Sequence, residues 1–435
     1  MENNNYIDTE LFESKEYKRS RVMYMAQCTF EYFISILIAD AFLAKLLTNI
    51  GISDSLTGII ASFMSIAFLF QLLSMSVAGK INGSKKIVII FQMISQILFI
   101  LMYLIPFLPM STEVKIVAVV VSILAGQIGL YFVSSILFKW ANSYVEPLSR
   151  GKYSAAKEMI SLISGIIFTL IIGAVVDKFE SLGNLRGAFL FISASILVCT
   201  VLNFVCLLSI KSDAGNTEKR EKIPAREIIK NTFGNKNFRS VIVLSVIWDT
   251  ARYFTTGFLG TFKTNDLLIS VAMVQVINMI ANLGRMAVSI PFGKYSDKHS
   301  YASGMKLAYI IAACAFGANM FTNVGNWWLI AVYTVLYSVS MAGSNANGFN
   351  IIYSYVDSKY FVYALAIKNS IGGLFGFAAS LIGGRILGII QANGNVFMGM
   401  NVFGQQVLSG ISFVLTLIAV LYIHFVIGKQ KVMKQ

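Results

Sequence analysis

The chain has 435 residues, of which 56% are hydrophobic and 13% charged, with a formal net charge of +14. A soluble protein would carry about 25% charged residues, so the composition excludes an ordinary soluble domain and points to a lipid bilayer. The surplus of Lys and Arg raises nucleic acid as a partner, and its placement along the chain, taken up below, excludes that.

Long apolar stretches alternate with short polar clusters, and about 20 apolar residues span a hydrocarbon core. After a polar tail at residues 1–21, the first predicted helix covers 22–49, too long an apolar run for a cleavable signal peptide. It contains FEYFISILIAD, residues 30–40, with a carboxylate near each end. The stretch has neither Pro nor Gly, so no sharp kink is expected. Glu31 and Asp40 are nine residues apart, and at about 100° per residue they fall on opposite faces. The Glu31 stripe also carries Gln27, Ser35, Lys45 and Asn49, which suits a water-filled cavity. The Asp40 stripe is mostly apolar and suits helix packing. An acid at the bilayer centre costs about 2.5–3.5 kcal/mol to insert and marks an ion path or a partner. Glu31 is therefore expected to bind and release a proton during a transport cycle, the alternative being a permanent ion pair with a basic residue on a neighbouring helix. Asp40 is expected to be architectural, pairing with a neighbour or capping a network.

Further helices are predicted over 56–78, 87–108 and 116–138, with the basic loop GKINGSKK at 79–86 between the first two. The 116–138 helix offers Gln127, Tyr131, Ser134 and Ser135. SRGKY at 149–153 precedes a helix over 155–177, which holds Gly165 and Gly173, and another covers 187–210. The polar segment 211–239 then interrupts the pattern. Six more helices follow near 240–262, 267–291, 303–322, 326–348, 361–389 and 403–427, with a tail at 428–435. In the seventh, SVIWDTARYFTTG (245–257) places Asp249 and Arg252 three apart, where they can pair on one stripe with Tyr253. Arg252 is also a candidate partner for Glu31, exchanging between the two acids. The eighth carries Gln275, Asn278, Asn282 and Arg285 at helical spacing, and Arg285 sits close enough to the helix end to snorkel. The tenth offers Tyr337, Ser344, Asn345 and Asn347. Amides, hydroxyls and rings suit a neutral polyhydroxyl ligand, and equally serve hydrogen bonding between helices.

When the connections are assigned to alternate sides, 27 of the 35 Lys and Arg share a side with the N-terminus. Six fall on the other side, Lys263 among them, and Arg252 and Arg285 lie within helices. This is the positive-inside bias, with both termini cytoplasmic. The basic balance reports topology, and no nucleic-acid partner is expected.

The two sets of six helices also match each other. NSYVEP (142–147) aligns with YSYVDS (353–358) at a shift of 211, which brings Lys157 onto Lys368, Gly165 onto Gly376 and Gly173 onto Gly384. AGK (78–80) matches FGK (292–294), and AFLAKL (41–46) matches GFLGTF (257–262). Matches in the same order argue for duplication. Twelve helices in two such halves resemble the major facilitator superfamily, whose loop after the second helix of each half reads roughly G-x-x-x-D-[RK]-x-G-R-[RK]. GKYSDKHS (293–300) supplies Gly293, Asp297 and Lys298. GKINGSKK keeps Gly79, Lys85 and Lys86 but has Gly83 where the acid belongs. SRGKY, with Arg150, is similar to the family's Arg-Gly loop after the fourth helix.

The resemblance implies an all-α membrane protein of two pseudo-symmetric six-helix bundles, 22–210 and 240–427, joined by a cytoplasmic linker at 211–239. It also implies that the first and fourth helices of each half line a central cavity. The cavity residues expected on that basis are Gln27, Ser35, Gln127, Tyr131, Asp249, Arg252, Tyr253, Tyr337 and Asn345, with Glu31 as the proton site. Gly79, Lys85, Lys86, Arg150, Gly293, Asp297 and Lys298 would form cytoplasmic gate loops.

The sequence has no phosphate-cradling G-x-x-x-x-G-K-[ST], no His/Cys/carboxylate set at metal-ligand spacing and no Ser/His/Asp set. No enzyme activity, cofactor or metal is expected. The fifth helix lacks the Gly-Pro antiporter motif of the family's drug exporters. The expected protein is a monomeric, alternating-access secondary transporter of the plasma membrane, taking up a small organic solute, preferentially a sugar or glycoside, with protons. Proton-driven efflux of amphipathic compounds and a non-transporting solute sensor are the alternatives.

Overall fold

The computed structural model of the protein describes residues 12–71, 85–146, 150–211, 225–357 and 360–430. The first half comprises α1 (Lys15–Leu37), α2 (Asp40–Asn49), α3 (Asp54–Ala61), α4 (Lys85–Leu104), α5 (Thr112–Ser143), α6 (Arg150–Ser181) and α7 (Leu185–Ser209). Helix α3 runs on past a turn at Ser62 as far as Gln71. A short helix, α8 (Ala225–Phe233), lies in the linker. The second half comprises α9 (Lys236–Tyr253), α10 (Val271–Lys298), α11 (Tyr301–Met320), α12 (Trp328–Tyr355), α13 (Phe361–Ala392) and α14 (Gly404–Phe425). A small hairpin, β1 (Val396–Phe397) with β2 (Met400–Asn401), joins the last two.

Lipid offers backbone groups no hydrogen bonds, so each crossing must be helical wherever it meets hydrocarbon. Among the described residues ten helices are long and apolar enough to cross a membrane. The two broken segments that open the halves complete the twelve-helix pattern of two bundles. Polar caps end the apolar runs at the short connections, where Ser53, Ser111 and Ser270 each accept a backbone N–H from the first turn that follows.

The first crossing is not straight. Helix α1 ends at Leu37, Asp40 has φ of +47°, and α2 restarts from there. Asp is among the few residues that tolerate this left-handed conformation, which needs no Pro or Gly. The hydroxyl of Tyr103, on α4, donates to the Leu37 carbonyl at 2.5 Å and so satisfies a group the break releases. In the second half α9 stops at Tyr253, and a 3-10 turn (Thr256–Phe258), one α-turn and a π-turn (Phe262–Asp266) follow. The matched segments AFLAKL and GFLGTF begin just beyond the two breaks, so the repeat extends to the interruption itself. The paired glycines behave alike as well. A Cβ on Gly165 would lie 2.4 Å from Tyr32, and one on Gly376 would lie 2.3 Å from Tyr253, each an aromatic on its own half's opening helix.

The halves are closed against each other at the end remote from the chain termini. The Asp177 carboxylate on α6 accepts the Val271 and Ala272 N–H groups of α10 at 3.1 and 2.8 Å. The Asn265 amide reaches Thr48 at 3.0 Å and Asp54 at 2.8 Å, and Gln391 donates to Asp54 at 3.0 Å. Toward the termini, Arg285 meets Glu158 across the halves at 2.9 Å, where snorkelling was expected. At mid-height α13 lies against the second crossing so closely that a Cβ on Gly373 would sit 2.2 Å from the Ser65 carbonyl oxygen. Gly373→Ala is therefore expected to cost about 1–3 kcal/mol through overpacking, read as a lower melting temperature in detergent. An unchanged melting temperature would mean that this seam is looser than its geometry.

Candidate functional site

A cavity of about 500 Å³ lies between the halves, lined by Glu31, Ser35, Gln127, Tyr131 and Ser134 on one side and Tyr253, Tyr333, Thr334 and Tyr337 on the other. Its wall on the remote side is Asp40 with Lys263. Straight-helix spacing had put Glu31 and Asp40 on opposite faces. The break between Leu37 and Asp40 overturns that, and both acids face this one cavity.

Their surroundings differ. Glu31 is half-buried, and the amides of Gln27 and Gln92 donate to its Oε2 at 2.5 and 2.8 Å. No ion pair to Glu31 and no hydrogen bond to its Oε1 is formed among the described residues. Gln92 comes from α4 and is fully buried, so it fixes the carboxylate from behind. Arg252, the candidate partner for Glu31, is elsewhere: its Nε lies 2.8 Å from Asp249 Oδ1. The contact is an ion pair without a well-directed N–H bond, since that Nε finds no hydrogen-bond acceptor. The guanidinium lies over the Tyr253 ring at 4.6 Å, and Ser245 donates to Asp249 at 3.0 Å.

Asp40 receives Lys263 Nζ on both oxygens at 2.7 Å and the Asn278 amide at 3.2 Å. The Lys263 side chain is 5% exposed and that of Asp40 28%. Lys263 had been counted among loop charges on the far side. It sits instead in the π-turn that follows the broken seventh crossing and ties the second half to the break in the first. Asp40 thus has the ion-pair partner expected of an architectural acid. The pair nevertheless joins the two halves and stands at the cavity wall, away from the apolar stripe that straight-helix spacing gives it.

Of the cavity residues expected from sequence, Ser35, Gln127, Tyr131, Tyr253 and Tyr337 line it with Glu31. Gln27, Asp249 and Arg252 lie one layer behind, and Asn345 is exposed and outside the lining. Ser344 and Asn347 are buried against neighbouring helices. Sequence reasoning missed Lys263, Tyr333, Thr334 and the supporting Gln92. The polar clue for Gln92 was its place inside an otherwise apolar run, VIIFQMISQI.

The expected gate loops are less loop-like than their motif suggests. The GKYSDKHS segment continues α10 through Lys298, and Asp297 and Lys298 are exposed without an ion pair among the described residues. Gly293 is half-buried within the same helix. Lys85 donates to the Leu208 and Ile210 carbonyls at 2.6 Å, closing the end of α7, and Lys86 is exposed. Gly79 lies outside the described residues, and Arg150 starts α6.

At the remote end, Asp266 ends the π-turn, in the connection after the seventh crossing. Gln405 donates to it at 2.8 Å. Burial, reinforced by the nearby Asp54 carboxylate, pushes its carboxyl up to about 7, against the opposing Gln405 bond. The folded state therefore holds a proton that the unfolded chain releases. Stability from this group is full below the ordinary carboxylate value and is lost as pH rises through about 7. Stability is expected to fall between pH 5 and 8 by roughly 1–3 kcal/mol allowing for partial exposure, read as a lower melting temperature. Asp266→Asn should flatten that slope. An equal slope in the variant would assign the effect to another group.

The sequence profile of the Major Facilitator Superfamily matches residues 23–265. No curated protein sequence is significantly similar to the chain. Among solved structures, the nucleoside transporter NupG superposes with a TM-score of 0.67 at 12% identity, over 96% of this chain and 100% of that one. A D-xylose-proton symporter gives 0.64 at 15% identity, over 92% of this chain and 95% of that one. A bacterial homologue of the iron transporter ferroportin gives 0.65 in its inward-facing state and 0.56 in its outward-facing state with soaked iron. In both cases the identity is 12%, covering 94% of this chain and 98% of that one. At such identities the likeness speaks for the fold, while the profile covers more than half of the sequence. The chain is a secondary transporter and belongs to the major facilitator superfamily.

Proposed function

We propose that the protein carries out proton-coupled uptake of a small organic solute, with Glu31 as the proton-carrying group and a sugar or glycoside as the favoured solute. The observation that carries this reading is the setting of Glu31. It is a cavity carboxylate held by two neutral amides, so it can gain and lose a proton without breaking an ion pair. The arginine and lysine nearest the cavity are already committed to Asp249 and Asp40. The uncharged polar lining is hydroxyl, amide and tyrosine, set among apolar side chains such as Ile38, Leu43, Met64, Leu130 and Leu259. This mixture suits a neutral solute with hydroxyl groups and apolar ring faces. Structural kinship with a D-xylose-proton symporter is compatible with that class.

The bias of Lys and Arg supports cytoplasmic termini in the cell membrane. The closed remote end supports reading the described conformation as inward-facing or occluded, with the Arg285–Glu158 pair the cross-half contact toward the termini. Bundles 22–210 and 240–427 would rock as units of a monomer about the central cavity.

Reconstitution tests the reading. Purified protein is first screened for thermal stabilisation by sugars, nucleosides, amino acids and amphipathic cations. The solutes that stabilise it are then followed in proteoliposomes. Uptake of a sugar driven by an inward proton gradient is expected. Stabilisation only by amphipathic cations, exported against the gradient, would replace it with efflux. A stabilising solute that shows no counterflow would make the protein a sensor.

A further inference from the structure

A second cavity, of about 310 Å³, opens between α1 and α6 of one half and α10 and α12 of the other. It shares Thr334 and Tyr337 with the central cavity, so the two compartments adjoin at these α12 side chains. Its other wall is a ladder of amides on α10, Gln275, Asn278 and Asn282, whose spacings of three and four residues stack them on one face. Asn278 spends one donor on Asp40, at 3.2 Å. Gln275 is 2% exposed, and no hydrogen bond to its side chain is formed among the described residues. Its amide lines the chamber without a protein partner among the described residues and is available to hydrogen-bond an occupant. Among the described residues the one charged side chain lining the chamber is Arg285, neutralised by Glu158 at 2.9 Å. Tyr32 and Tyr337 line the chamber from opposite halves.

We propose that this side chamber is a second compartment of the solute site. It takes the distal ring of a two-ring neutral polyhydroxyl solute, a disaccharide or a glycoside, while the proximal ring occupies the central cavity. The amide ladder supplies paired donors and acceptors to ring hydroxyls, and the absence of net charge disfavours ionic solutes. The two compartments adjoin at Thr334 and Tyr337, and the proposed solute spans them there. The proposal rests on the reading of the central cavity as a sugar site.

Calorimetric titration of the full-length protein with matched probes tests it: glucose against maltose, and galactose against lactose. In at least one pair the disaccharide is expected to bind about tenfold tighter or more, from a few additional hydrogen bonds. Gln275→Leu and Asn282→Leu should each weaken the disaccharide about three- to tenfold and the monosaccharide less than twofold. If either variant fails to elute as folded protein, Ser338→Phe, which fills the chamber from α12, provides the same comparison. Variants that weaken both probes alike, or neither, would overturn the chamber while leaving the central sugar site intact. Binding of monosaccharides alone would do the same. Binding of no probe to the unmodified protein would overturn both the chamber and the sugar reading.

Discussion

Replacing Glu31 by Gln is expected to abolish proton-driven accumulation of solute in proteoliposomes while leaving counterflow close to the unmodified rate. Gln preserves the volume, and the Gln27 and Gln92 amides can still meet its side-chain oxygen, so the cavity wall should keep its shape. What it removes is the exchangeable proton. A gradient of one pH unit is worth about 1.4 kcal/mol, which for one proton per solute sustains about tenfold accumulation. In the variant that ratio should fall to one. Counterflow needs only the loaded carrier to reorient and should persist, because the neutral Gln imitates the protonated acid. Accumulation that survives in Glu31→Gln would move the proton to another group, and Asp40 would be the next to examine.

The largest effect on stability is expected at Asp40 and Lys263. Removing one member of a buried pair costs about 3–5 kcal/mol, since the other charge is left without compensation. Lys263 is the more deeply buried, so changes at Asp40 should cost more than changes at Lys263. Asp40→Ala adds a second penalty of about 1–2 kcal/mol, because Ala does not accept the +47° backbone that Asp does. Asp40→Asn keeps the backbone preference and loses only the charge. The expected order of melting temperatures is unmodified protein, Lys263→Met, Asp40→Asn, then Asp40→Ala. The double variant Asp40→Asn with Lys263→Met should recover part of the loss, with a coupling of about 1–3 kcal/mol. Strict additivity would show that the two side chains do not stabilise each other.

Much of the fold was legible because hydrocarbon imposes its demand locally. Each apolar run of about 20 residues states its own crossing, and the matched segments stated the duplication. The break in the first crossing was not legible. It is set by Asp40, whose left-handed backbone is held through a lysine 223 residues away and a Tyr103 hydroxyl that caps the loose carbonyl. Periodicity assumes an unbroken helix, and one left-handed residue changed which face Asp40 presents. Glu31 was legible as a cavity acid because its own turns carry Gln27 and Ser35. Its second amide, Gln92, lies on another helix, and pairing across helices leaves no periodic trace. Arg285 looked like a snorkelling cation by position alone, because its partner Glu158 belongs to the other half.

The seam at the remote end also has a consequence for watching the protein at work. Amides in the first turn of a helix have no carbonyl partner within that helix. Those of Val271 and Ala272 borrow theirs from Asp177 on the opposite half. Each time the halves part at that end, the two N–H groups pass to water and exchange with solvent deuterium. Their exchange rate reports the fraction of time the remote end stands open, without any label introduced into the chain.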